Sequence, residues 1–166
     1  EFLDEPLDLL PLVKSGETPN LLLMRTFSKI YGLAGLRIGY GIGHPDFISA
    51  MEKFRQPFNI NSIAQSGALA ALDDEEHLNA TRKTNTEGLK FFESVCSDLG
   101  VEFVPSYANF ILIKVGDGVR VFEYLQKCGV ISRPMAGYGL PEWIRLSIGT
   151  SNENIRSASV LKSALI

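Results

Sequence analysis

The chain has 166 residues, 45% of them hydrophobic, and a net charge of −3. That is enough apolar chain for one ordinary domain or two small lobes, and too much for a disordered polypeptide. The modest negative balance, with no long basic run, excludes a broad contact surface for a nucleic-acid backbone.

In chain order, residues 1–20 read as loop. The short apolar run at 21–24 predicts a strand covered on both faces, and 36–42 a second strand after a glycine-spaced loop. Lys29 thus falls just past a strand end and Arg37 on the next strand. Pro45 opens a short helix through Lys53, and after Pro57 a second helix runs from about Asn61 to Leu72. Its stripe of Ala64, Gly67, Ala68 and Ala71 suits a helix lying close on a sheet, hence a layered α/β arrangement. The acidic cluster 73–76 opens a long helix with Leu89, Phe92, Cys96 and Leu99 at its apolar positions and Gly100 at its end. It predicts an inter-lobe helix, with the lobe boundary between Asp73 and Gly88.

Residues 101–104, 110–115, 130–133 and 143–148 predict strands, with a helix at 119–128 stopped by Gly129. Thr150 and Glu153 match a capping box for a final helix whose face carries Ile155, Ala158, Leu161 and Leu165. Cys96 and Cys128 fit neither a metal spacing nor a disulfide framework and read as buried residues in a reducing interior. Charges interrupt every hydrophobic segment, so no membrane span is predicted and the expected location is cytoplasmic.

The chemistry lies in "RTFSKIYGLAGLRIGYGI", residues 25–42. Charged side chains are seldom buried without partners, so Lys29 and Arg37 in this apolar stretch ask for an anion. A lysine at a strand end, with Thr26 and Ser28 beside it and Arg37 following, suits a carbonyl cofactor that carries a phosphate. Arg37 would hold the phosphate, a hydroxyl of Thr26 or Ser28 would complete the cup, and the lysine would bond the carbonyl carbon. Partial burial and a nearby cation favour the free amine this needs. Spacing alone equally allows two surface cations at a bend. His44 reads as a loop residue and His77, at an acidic helix start, as a solvated side chain. No zinc set or nucleophile triad is present, and the glycines of "GDGVRVFEYLQ" lack the dinucleotide fingerprint and mark a turn.

The lysine segment, with "PSYANFILIKV" and "ISRPMAGYGLPEWIRLSIGTSNEN" after it in the same order, resembles fold-type I pyridoxal-phosphate aminotransferases. The likeness is to the histidinol-phosphate aminotransferase branch and covers nearly the whole chain. It implies an α/β fold truncated at the N-terminus: residues 1–80 as the C-terminal portion of a large cofactor-binding domain, and 81–166 as a small C-terminal α/β domain. By this resemblance Lys29 attaches pyridoxal 5'-phosphate and later moves a proton at the substrate's α-carbon, while Thr26, Ser28 and Arg37 bind the cofactor phosphate. Arg145 becomes the clamp for the substrate's anionic group with Arg133 assisting, since a planar guanidinium forks onto phosphate or carboxylate. Asn109 lines the substrate site and Tyr138 borders it. The blander roles are an exposed ion pair for Arg133, a turn amide for Asn109 and loop packing for Tyr138.

In such enzymes the aspartate on the pyridine nitrogen, the aromatic stacked on the ring and part of the phosphate loop precede the lysine segment. Glu1 and Asp4 are not substitutes for that aspartate. The expectation is therefore the C-terminal half of an enzyme, inactive alone, with a weaker first lobe whose strands expose edges unless another chain covers them. The parent activity implied is transamination of histidinol phosphate with 2-oxoglutarate by a cytoplasmic homodimer, with no nucleic-acid or membrane partner. Two alternatives stand beside it. A decarboxylase acting on an O-phosphorylated amino acid would release carbon dioxide in place of a keto acid or aldehyde, and a cofactor-sensing domain of a transcriptional regulator would carry a helix-turn-helix upstream.

Overall fold

The computed structural model describes Phe2, Leu3 and residues 7–166, so Glu1 and Asp4 lie outside the described residues. The chain divides into two compact units, Leu3–Asn79 and Ala80–Ile166.

In the first unit, helix α1 (Leu10–Ser15) forms inside the stretch expected to be loop. Pro11 sits in its first turn, where a missing N–H costs nothing, Asp8 Oδ1 accepts from the Leu10 N–H at 2.9 Å, and Gly16 closes it at φ +73°. Strands β1 (Leu22–Thr26) and β2 (Gly39–Gly43) pair antiparallel, from Leu22 opposite Gly43 to Thr26 opposite Gly39. They bond to no third strand among the described residues. β1 is not covered on both faces: Leu23 is buried but Met24 is 73% exposed. β2 starts later than expected because Ala34–Leu36 winds into a 3-10 turn, which leaves Arg37 in the loop before the strand.

Helix α2 (Pro45–Glu52) follows, then α3 (Ser62–Leu72), whose first turn is capped by the Asn61 carbonyl oxygen accepting from the Ala64 N–H at 2.8 Å. The small-residue stripe of α3 lies on the loop joining β1 to β2, not on a sheet face. Ala64 and Ala68 pack with Phe27 and Ile38, flanked by Tyr31, Leu33 and Leu36. At Gly67 a Cβ would come within 2.9 Å of Leu36 Cδ1, so a larger residue would require the end of that side chain to shift.

Helix α4 (Glu75–Leu99) begins before the division and continues into the second unit. There β3 (Phe103–Val104), β4 (Phe110–Lys114), β5 (Arg133–Pro134) and β6 (Trp143–Ser147) form an antiparallel sheet in the order β3-β4-β6-β5. Alternation aims Ile111, Ile113, Ile144 and Leu146 inward. Against them lie Phe92 and Cys96 of α4, Val121 and Leu125 of α5 (Gly118–Lys127), and Ala158 and Leu161 of α6 (Ser151–Leu165). The strand expected at 130–133 shrinks to Arg133–Pro134. The inward face of α6 carries Asn154, Ala158, Leu161 and Ala164, while Ile155 stays 55% exposed. Cys96 is buried but Cys128, just past the end of α5, is exposed, contrary to expectation. Among the described residues no helix is long and apolar enough to cross a membrane.

Candidate functional site

The β1–β2 ladder ends at Thr26 and Gly39, and residues 27–38 fold back as a closed loop. Phe27 N–H donates to the Ile38 carbonyl (3.2 Å), Leu33 N–H to that of Phe27 (3.0 Å), and Gly32 N–H to that of Lys29 (2.9 Å). Phe27 and Ile30, 4% and 1% exposed, are the buried anchors on either side of Ser28 and Lys29. The backbone under Lys29 is thereby fixed while its side chain is exposed rather than partly buried. Thr26 Oγ1 accepts from the Ser28 N–H at 3.1 Å, and Ser28 itself is half-buried.

Arg37 occupies the left-handed region at φ 52°, ψ 48°. For a residue with a Cβ this costs about 1–2 kcal/mol, and such strain gathers at functional positions. The Ala34 carbonyl accepts from the Arg37 guanidinium at 2.6 Å and from its backbone N–H at 3.4 Å, so the side chain is tethered at its root. Thr26, Ser28, Lys29 and Arg37 are all brought to one end of the hairpin. This set offers an amine for a carbonyl carbon, with hydroxyls and a guanidinium for a phosphate. It fits both the aldehyde and the phosphate ends of pyridoxal phosphate; no acid for the ring nitrogen is part of it.

His44 lies in the loop before α2, as expected, whereas His77 differs from expectation. His44 caps α2: its Nδ1 accepts from the Asp46 N–H at 3.4 Å, beside the Asp46 carboxylate at 3.7 Å. His77 is not merely solvated, because its Nε2 lies 3.0 Å from the carbonyl oxygen of Ile30.

In the second unit, the sheet face turned away from the helices carries Phe110, Leu112 and Lys114 of β4 and Trp143 and Arg145 of β6. Arg145 stands directly opposite Arg133 in the β5–β6 register and opposite Leu112 in the β4–β6 register. Like charges placed directly across a sheet repel. Lys114, on the same face, is bracketed by Glu102 (3.5 Å) and Glu142 (3.7 Å), whereas neither arginine meets a carboxylate among the described residues. The Arg145 guanidinium lies over the Phe110 ring, 4.8 Å from its centroid. Phe110 was invisible as a site residue because its diagonal contact with Arg145 exists only once strand pairing is known. Asn109 is half-buried just before β4, and its backbone carbonyl accepts from the Ile148 N–H at 2.9 Å. Tyr138, 68% exposed, ends the 3-10 turn Ala136–Tyr138, and no hydrogen bond joins its side chain to the arginines. The structure thus brings Arg133, Arg145 and Phe110 together, with Asn109 at the strand start and Tyr138 apart.

Residues 2–159 match the family described as aminotransferase class I and II. The chain belongs to this family. It is 52% identical, over 165 residues, to the histidinol-phosphate aminotransferase of Akkermansia muciniphila, covering 99% of this chain and 45% of that protein. Among solved structures, it superposes with a TM-score of 0.82 on the histidinol-phosphate aminotransferase from Sinorhizobium meliloti in complex with pyridoxal-5'-phosphate. The identity there is 29%, over 90% of this chain and 42% of that one. The aspartate aminotransferase from Thermotoga maritima gives a TM-score of 0.84 at 26% identity, over 99% of this chain and 44% of that one. The α/β fold is that of fold-type I pyridoxal-phosphate aminotransferases, and class I and II aminotransferases use this cofactor. The chain spans less than half the length of these aminotransferases.

Proposed function

We propose that the polypeptide carrying this chain is a pyridoxal-phosphate-dependent transaminase that acts on histidinol phosphate with 2-oxoglutarate as amino acceptor. Residues 1–80 then belong to its large cofactor domain and 81–166 form its small domain. The observation that carries the reading is the hairpin end: an exposed lysine on a fixed backbone, with two hydroxyls and a strained, tethered arginine around it.

When bound, the cofactor supplies an electron sink for the substrate's α-carbon. Lys29 Nζ would hold the cofactor and move the proton at that α-carbon. Ser28, Thr26 and Arg37 bind the phosphate. Arg145 grips the terminal anion of the substrate, Arg133 shares its charge, and Asn109 and Tyr138 border the substrate. Histidinol phosphate is favoured by the 52% identity to the Akkermansia muciniphila enzyme, and an anionic end group by two facing arginines without carboxylate partners among the described residues. A homodimer is supported by the exposed apolar side chains of the first unit, Phe54 (87%), Phe58 (99%), Ile63 (72%) and Leu69 (68%), which suit a subunit contact.

The test is borohydride reduction after incubation with pyridoxal phosphate, followed by peptide mass mapping. A stoichiometric adduct on Lys29, absent from Lys29→Ala, is expected. No adduct on the complete polypeptide would sink the reading. Product analysis with histidinol phosphate and with aspartate as donors then sets the substrate: turnover of aspartate alone would refute histidinol phosphate.

A further inference from the structure

The carbonyl of Ile30 belongs to a residue only 1% exposed, immediately after Lys29. A buried carbonyl left without a donor costs roughly 1–3 kcal/mol, so its partner matters to the loop. The backbone hydrogen bonds inside the loop use the carbonyls of Phe27, Lys29, Leu33, Ala34 and Ile38. The Ile30 carbonyl is instead met by the His77 ring, 47 residues further along the chain. His77 is held in the first turn of α4, where its backbone N–H donates to Asp74 Oδ1 at 3.0 Å. Its Nε2 lies 3.9 Å from where a Cβ on Gly32 would stand, so the ring lies against the loop backbone at Gly32 as well as at Ile30. Gly32 is at φ +71°, a conformation that suits glycine.

We infer that His77 is a positioning residue for Lys29: its ring clasps the Ile30 carbonyl and sets the backbone from which the lysine projects. A carbonyl oxygen can only accept, so Nε2 must carry the proton. That holds for the neutral Nε2–H tautomer and for the imidazolium alike, so the clasp does not depend on the charge of the ring. Glutamine, whose amide nitrogen can occupy the place of Nε2, is the conservative replacement. Alanine removes the donor and leaves the carbonyl orphaned.

The inference rests on the proposed role of Lys29 for its meaning, but not for its test. The complete polypeptide is prepared as wild type, His77→Ala and His77→Gln. Two quantities are compared: hydrogen exchange of the Gly32 and Leu33 amides without cofactor, and the fraction of Lys29 trapped by borohydride at a subsaturating concentration of pyridoxal phosphate. In His77→Ala the two amides are expected to exchange about tenfold faster while those of β1, β2 and α3 are unchanged, with trapping down several-fold. His77→Gln should restore both to within about twofold of wild type. Unchanged exchange and trapping in His77→Ala would overturn the clasp. So would exchange that rises equally throughout the first unit, or a failure of His77→Gln to restore either quantity. If wild type shows no trapping at Lys29, the cofactor reading falls, and the exchange result alone decides the clasp.

Discussion

At Arg37 two demands meet on one residue: a backbone that favours glycine and a side chain to which the proposed function gives the cofactor's phosphate. Comparing Arg37→Gly with Arg37→Ala separates them, because both lose the cation but only alanine keeps the strained Cβ. The glycine variant should be the more stable of the two by about 1 kcal/mol in urea unfolding. Both should weaken capture of pyridoxal phosphate by about tenfold or more, the scale of a lost charge-assisted hydrogen bond. An alanine variant as stable as the glycine one would show that the positive φ carries no strain. Phe110 poses a similar question in the second unit, where its ring underlies the Arg145 guanidinium. Removing the face of the ring in Phe110→Leu should loosen the clamp by about 0.5–2 kcal/mol. The expected readout is a several-fold rise in KM for the anionic substrate with kcat nearly unchanged; a fall in kcat alone would contradict the assignment.

At the scale of elements, packing overrides propensity at Gly88 of α4. A Cβ there would come within 2.3 Å of Ile148 Cγ2 and 2.7 Å of Asn154 Nδ2. Asn154 is 4% exposed and spends its amide on the N–H and carbonyl of Gly149, so it has little freedom to retreat. Alanine gains about 1 kcal/mol in helix propensity, but overpacking costs about 1–3 kcal/mol. Gly88→Ala should therefore lower the urea midpoint of the second unit, and a rise would contradict the close approach. The start of α6 adds a pH dependence. Thr150 donates its backbone N–H (2.7 Å) and its hydroxyl (2.8 Å) to Glu153 Oε2, which holds this carboxyl below the ordinary glutamate range. A carboxyl lowered on folding contributes stability above its unfolded value, and the contribution is lost as pH falls through its folded value. Between about pH 6 and about pH 3, Glu153→Gln should thus lose less stability than wild type. This capping box was legible because all its members lie within four residues. α1 was not, because six residues offer too little periodicity; β5 was overestimated because Val130 gives its N–H to the Leu125 carbonyl at the end of α5 and Ile131 stands 79% exposed, so neither joins the ladder. The same limit hid His77 and Phe110: each acts through a partner that only tertiary structure brings near.

At the scale of the whole molecule, the two units have unequal means of holding themselves. The second packs three helices on one face of an antiparallel sheet and fully buries Phe92, Ile111, Ile113, Val121, Leu125, Ile144 and Leu161. The first has a two-stranded hairpin, marginal by itself, and a core cluster of Phe27, Ile38, Ala64 and Ala68. Its lysine segment was legible as a motif, but the smallness of its core appears only in three dimensions. In the 166-residue chain, urea should therefore release the first unit before the second. The cysteines report on this directly. Cys128 is exposed and should react with a thiol reagent without denaturant, whereas Cys96 is buried, and burial together with the nearby Glu93 charge pushes its thiol up to about 11. As urea rises, the amides of β1, β2 and α3 should lose protection from hydrogen exchange while Cys96 remains unmodified, and Cys96 should become reactive only when β4 and β6 open. Modification of Cys96 in step with the loss of β1 and β2 would mean that the units unfold as one, and that the core of the second cannot stand without the first.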